Sequence, residues 1–179
     1  MAAKIKVDQI ETVDGSGTIA LQNQLSGMTS ASMPTGSVLQ VVTNTYATET
    51  TTGSGTYQSC GFSASITPSA TSSKILCLVH IAGAFTYTND EINLITLYRG
   101  STNLATGASD STSGYDCFAM SHNNDTVQQG VGQSFSVLDS PSTTSAITYT
   151  PKFGSRDGDT VYVQVWGQTS TITLLEIAG

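Results

Sequence analysis

From Gly36 onward the chain repeats its apolar side chains at a spacing of two, and no stretch offers the three-to-four spacing of an amphipathic helix. That pattern restricts it to strands joined by polar turns, an all-β fold. Val38, Leu39, Val41 and Val42 open the series. Tyr57 to Ile66 then sets Cys60, Phe62, Ala64 and Ile66 against Gly and Ser and stops before Pro68, as one half-buried strand does. KILCLVHIAGAFTY follows, apolar on both parities from Ile75 to Ile81, the signature of a central strand covered on both faces. Glu91 to Arg99 (EINLITLYR) leads into the turn RGSTN, and Tyr115–Ser121 and Gln133–Leu138 are further strand candidates. In SAITYTPKF, Pro151 marks an edge strand or a strand end. The last two alternations are the clearest: Val161, Val163 and Val165 in TVYVQVWG, then Ile172 and Leu174 against Thr173, Leu175 and Ile177 in TITLLEIA. About eight short strands at turn spacings near ten residues predict an antiparallel β-sandwich, and a jelly roll fits that number best. An immunoglobulin-like sandwich ranks second, because the cysteines flank no tryptophan at the needed distance.

Ahead of this body, Lys4 to Asn23 reads KIKVDQIETVDGSGTIALQN. Ile5, Val7 and Ile10 give one short apolar alternation, Asp14-Gly15 a turn, and Ile19 with Leu21 a second. Two strands alone are marginal in water, and the polar stretch Gln22 to Thr35 adds no core. This hairpin or extended segment is therefore expected to order only by pairing with its own copies or docking on a partner. The chain divides into an anchoring and trimerising segment with its linker, residues 1–35, and a β-sandwich head, residues 36–179. Ile5, Val7, Ile10, Ile19 and Leu21 form the predicted mounting surface.

At 179 residues there is room for that segment and one domain with a real core. Only 11% of residues are charged, so hydroxyls and amides rather than ions cover the surface. The net charge is −7 and the basic residues Lys4, Lys6, Lys74, Arg99, Lys152 and Arg156 are scattered, which argues against nucleic acid or an anionic membrane as partner. No apolar run approaches the roughly 18 residues of a membrane span, and MAAKIKVDQI lacks the apolar block of a signal peptide, so synthesis in a cytoplasm is expected. Cys60, Cys77 and Cys117 are odd in number with no CxxC spacing, which reads as buried or incidental thiols before zinc or a disulfide.

Chemistry needs titratable groups brought together, and few are available. His80, inside LVHIA, reads as a neutral, hydrogen-bonded structural histidine before a ligand or base. His122, Asn123, Asn124 and Asp125 read as a loop, with nitrogen and oxygen donors at a surface tip as the alternative. RDGD, carrying Asp157 and Asp159, is a tight turn, and Asp139-Ser140-Pro141 another turn initiator, so the paired carboxylates of a glycosidase are missing. HExxH, GxSxG and Walker patterns are absent. Neither enzyme activity, nor a catalytic residue, nor a cofactor, nor a metal is expected. Tyr87, Tyr115 and Trp166 serve either as sandwich packing or as a sugar-stacking platform.

Four segments carry a family likeness: KIKVDQIETVDGSGTIALQNQLSGM, LYRGSTNL, LDSPSTTSAITYTPKFGS and STITLLEI. Over essentially the whole chain they resemble the tail-fibre and virion appendage proteins of tailed phages of marine and freshwater bacteria, cyanophages among them. GDTVYVQV, Gly158 to Val165, is similar to the late-strand motif of complement globular-head and tumour-necrosis-factor domains, jelly rolls that trimerise. The resemblance implies a homotrimer in the virion. Its N-termini would join one another and a tail, baseplate or capsid protein, and its far loops would adsorb to a host surface glycan or protein. Three-fold packing would bury Val163 or Val165 and Leu174 or Ile177 against symmetry mates. Receptor-contact candidates are polar or aromatic residues near predicted loop tips: Tyr87, Asn89, Asp90, Tyr115, His122, Asn123 and Asp125. Long-shafted fibres place repeats between anchor and head, whereas here only Gln22 to Thr35 is available. That departure keeps a trimeric capsid decoration protein as the second reading; a polysaccharide depolymerase is the third.

Overall fold

A computed structural model describes residues 33–105, 115–122 and 130–179. Twelve strands occur among them. They are β1 (Val38–Tyr46), β2 (Thr50–Thr52), β3 (Gln58–Ser59), β4 (Ala64–Ile66), β5 (Lys74–Thr86), β6 (Ile92–Arg99), β7 (Thr102–Asn103), β8 (Ala119–His122), β9 (Val131–Asp139), β10 (Ile147–Ser155), β11 (Val161–Val163) and β12 (Ser170–Ile177). They form two antiparallel sheets of six strands each, the first built on β1-β12-β5-β9 with β11 and β2, the second on β3-β10-β6-β7 with β4 and β8.

The pairing follows one rule. β1 pairs with β12, β4 with β10, β5 with β9 and β6 with β8, so the first principal strand meets the last, the second the next to last, and so inward. This is a long hairpin folded double. Rolling it up creates the two remaining contacts, β12 with β5 and β10 with β6, and closes the sandwich. The connectivity is that of a jelly roll, as the strand count predicts. Cys60, Phe62, Ala64 and Ile66 from one sheet interleave with Ile75, Cys77, Val79, Ile81, Ile172 and Leu174 from the other, and Ile95, Leu97, Tyr149 and Phe153 complete the core.

Three expectations of strand detail change. Tyr57 to Ile66 is not one strand: its alternate residues are buried as expected, but Gly61, at φ +92, breaks it into β3 and β4 beside the Tyr46 ring. Pro151 lies within β10, between β6 and the β3/β4 side, not at an edge or strand end. Its carbonyl accepts from Cys60 N–H at 2.9 Å, so the position of its missing N–H faces the gap between Ser59 and Ala64, where no ladder partner is needed. The third correction concerns β5, where only the second half, Ile81 to Thr86, is covered on both sides. In the first half Ile75, Cys77 and Val79 enter the core, while Leu76, Leu78 and His80 face outward.

The strand covered on both faces by its own chain is β6, in which Asn93 through Leu97 are all buried. Segments of the same chain lie over that outer face: Ser54 O accepts from Ser155 N–H at 3.0 Å, Tyr57 packs on Tyr98 at 6.2 Å between ring centroids, and Thr96 Oγ1 donates to Asn103 Oδ1 at 2.5 Å. Among the described residues, the outer face of the first sheet has no such cover along β1, β12, the first half of β5 and the part of β9 that pairs with it.

Candidate functional site

The registers of the first sheet align its outward residues in rows that cross four strands. Val41 on β1 stands opposite Leu175 on β12, Leu175 opposite Leu76 on β5, and Leu76 opposite Leu138 on β9. The next row is Thr43, Thr173, Leu78 and Ser136, and the one after it Thr45, Thr171, His80 and Ser134. The face therefore grades from a continuous apolar row to a hydroxyl-rich one. Val41 is 58% exposed, Leu138 53% and Leu78 42%, on a chain rich in Ser and Thr. An open depression of about 530 Å³ lies over Leu78, His80, Ser134, Ser136, Thr171 and Thr173.

His80 is hydrogen-bonded as expected, its Nδ1 2.8 Å from Ser134 Oγ, but on this outward face and not in the core. Val163 and Leu174 are displaced in the opposite sense, buried inside the sandwich because β11 and β12 turn those parities toward the opposing sheet, whereas Val165 lies beyond the end of β11 and is buried close to Gly83 and Gly130. Of the residues expected to meet symmetry mates, Ile177 faces outward. The alternation of β12 identifies its true outward set as Thr171, Thr173, Leu175 and Ile177.

The two ends of the sandwich differ. At one end the chain leads into β1: Gly36 N–H donates to Ala178 O at 2.7 Å, and Val38 lies beside Ile177. At the other end the chain turns between β5 and β6, between β10 and β11, and before β12, and β8 ends there. Glu91 organises this distal end. Its buried carboxylate accepts the backbone N–H of Ile92 at 2.8 Å, Arg156 at 2.9 Å, Asp157 at 3.2 Å and Asp159 at 3.2 Å, pinning the RDGD turn to the start of β6. Nothing in the sequence pattern around Glu91 distinguishes it from a solvated strand-end carboxylate.

Tyr87, Asn89 and Asp90 lie together on the distal turn between β5 and β6. His122 joins them, its Nε2 2.9 Å from Asp90 Oδ1, and the Arg156 guanidinium donates to Asp90 O. Tyr115 is half-buried and within electrostatic range of Arg156, beside Asp116, whose carbonyl accepts from Asn103 Nδ2 at 2.8 Å. Asn123 and Asp125 lie outside the described residues, as do Ile5, Val7, Ile10, Ile19 and Leu21. Among the described residues no group of three or more His, Cys, Asp or Glu is placed to hold a metal ion, and no helix is long and apolar enough to cross a membrane.

Among the described residues these features define a jelly-roll β-sandwich with one sheet face left largely uncovered and a turn-bearing end opposite the start of β1. No protein-family model matches the chain, and no curated protein matches it. Among solved structures, the VP2 subviral particle of infectious bursal disease virus aligns over 80% of this chain at 15% identity and a TM-score of 0.39. A mutant VP2 of the same virus aligns over 79% at 12% identity and a TM-score of 0.32. The chain spans 34% and 41% of those proteins' lengths. Likeness at this level carries no argument about function.

Proposed function

We propose that the chain is the subunit of a short homotrimeric virion appendage, a stubby tail fibre that is mounted by its N-terminal segment and displays the distal turns of its sandwich to the host surface. The observation that carries this reading is the outward apolar row Val41–Leu175–Leu76–Leu138. A strand that is apolar on both parities needs cover on both faces, and among the described residues of one chain nothing covers Leu76 and Leu78 on the outward side. A second copy of this chain supplies that cover in the proposed assembly, and the likeness to trimeric heads makes the number three. The start of β1 and the distal turns lie at opposite ends, which suits a part anchored at one end and presented at the other. Host adsorption and the identity of the mount rest on the sequence resemblance.

Capsid decoration is the second reading, favoured by the brevity of Gln22 to Thr35. Electron microscopy of particles carrying a labelled copy separates the two. Density at the tail with a few dozen copies or fewer supports the fibre; label over the shell in hundreds of copies rejects it in favour of decoration.

A further inference from the structure

Phe85 follows the core residue Ala84 on β5 and turns to the outward side at the distal end. Three rings bury it: Tyr87 edge-on at 4.5 Å between centroids, Tyr162 at 6.0 Å and Trp166 at 6.1 Å. Tyr87 and Tyr162 also meet edge to face at 5.3 Å. After covering Phe85, Tyr87 remains 59% exposed and Trp166 62% exposed. Two large aromatics are thus held in place by packing while their outer surfaces stay in water.

The backbone that presents Trp166 is held in an unfavourable conformation. Gln164 (φ 56) and Trp166 (φ 57) both lie in the left-handed region, which L-residues other than glycine rarely occupy. For Gln164 the reason is visible: its side chain is buried and its Nε2 donates to Ser170 Oγ at 2.8 Å. Trp166 has no such buried partner, and its indole points to solvent. Gly130 lies under the ring, where a Cβ would come within 2.9 Å of the indole Cζ3 and 3.3 Å of Gln168 Nε2. The indole edge and an amide donor therefore sit side by side.

We infer that the Tyr87–Trp166 surface binds a neutral saccharide, the C–H face of a pyranose stacking on the indole and its hydroxyls meeting the Gln168 amide and the tyrosine hydroxyls. The ligand is neutral because Asp90, Glu91, Asp157 and Asp159 outnumber Arg156 and His122 at this end, a field that disfavours anionic sugars. The inference rests on the display reading proposed above and gives it a ligand class. Three copies on one assembly would raise weak single-site binding by avidity.

Trp166 is the sole tryptophan, so its emission reports on this surface directly. The full-length protein, as it assembles, is titrated with neutral oligosaccharides of gluco, galacto and manno configuration and applied to an array that also carries sialylated and uronate-containing glycans. Expected are a saturable emission change with at least one neutral glycan, at least about threefold weaker binding for Tyr87→Ala, and at least about tenfold weaker array retention for Trp166→Ala. Both variants keep the wild-type mass in light scattering. The inference is overturned if no neutral glycan alters the emission up to roughly 10 mM. It is also overturned if acidic glycans are preferred, or if Trp166→Ala changes the mass of the assembly and leaves glycan retention intact, which would make the surface a contact between copies. Failed sugar binding by an intact trimer leaves the appendage reading standing, whereas a wild-type protein that never assembles rejects that reading independently.

Discussion

Leu76 on β5 stands directly across from Leu138 on β9, and both side chains leave the sandwich on its outward face, where no other part of the described chain covers them. One position earlier, Ile75 is fully buried in the core. Adjacent residues of one strand thus serve different purposes, one holding the subunit together and the other available to hold subunits to each other.

Substitution separates these roles. Ile75→Ala should lower subunit stability by about 2–5 kcal/mol, the usual result of opening a cavity in a packed core. Leu76→Ser should change the subunit's own unfolding by less than about 1 kcal/mol and weaken self-association instead. Denaturant unfolding of dilute protein, read together with its sedimentation, distinguishes the two variants.

Glu176 makes folding pH-dependent. Burial alone would raise its pKa, but Ser69, Gln40 and Ser73 side chains and the Ser69 N–H, at 2.6–2.7 Å, hold the carboxyl below its ordinary value of 4.5. A carboxyl with a depressed folded pKa contributes fully above its unfolded pKa and loses that contribution as pH falls through the folded one. Glu176→Gln should therefore be destabilised by about 1–3 kcal/mol at pH 7, with the gap from wild type closing below about pH 4.5. Melting temperatures of both proteins between pH 7 and pH 3 check this.

Asp139 clamps the two sheets at the end where β1 begins. Arg99 Nη1 donates to its carboxylate at 2.7 and 2.8 Å, and Tyr149 Oη at 2.6 Å; burial, then this bond, raise the tyrosine pKa. Asp139→Asn should cost about 1–3 kcal/mol, since it leaves a half-buried guanidinium without its counter-charge. Tyr149→Phe should cost about 1 kcal/mol in the wild type and less in the Asn variant, because the two groups share one partner. A double-mutant cycle by denaturant titration measures that coupling.

The three thiols are free, and burial raises the pKa of each, Cys77 to about 12 with a further contribution from Asp139. Native protein at pH 8 should take up iodoacetamide slowly at Cys117 and not at Cys60 or Cys77, and all three should react in guanidinium, as mass spectrometry will show.

The fold was legible where local alternation and burial agree. In β12, Ile172 and Leu174 turn inward and Thr173, Leu175 and Ile177 outward, as their spacing predicts, and the strand count leads to the jelly roll. Position within a sheet was not legible. Pro151 sits in an inner strand because its neighbour breaks at Gly61, and Val163 turns inward because tertiary pairing assigns its face. The double parity of Ile75–Ile81 predicts cover on both sides, and among the described residues Leu76, Leu78 and His80 are covered on one side only. At the distal end, Tyr87, Asp90 and His122 are brought together as loop-tip reasoning suggests. Glu91 was invisible there, because its role depends on backbone N–H groups more than sixty positions away in sequence.

Sedimentation equilibrium of the full-length protein at micromolar concentration, beside the variant Leu138→Glu, tests the central claim most directly. The account predicts a mass three times that of the 18.6 kDa chain for wild type, and a folded species of single-chain mass for the variant. A wild-type protein that sediments at 18.6 kDa, or a variant that stays trimeric with a charge at Leu138, would contradict it.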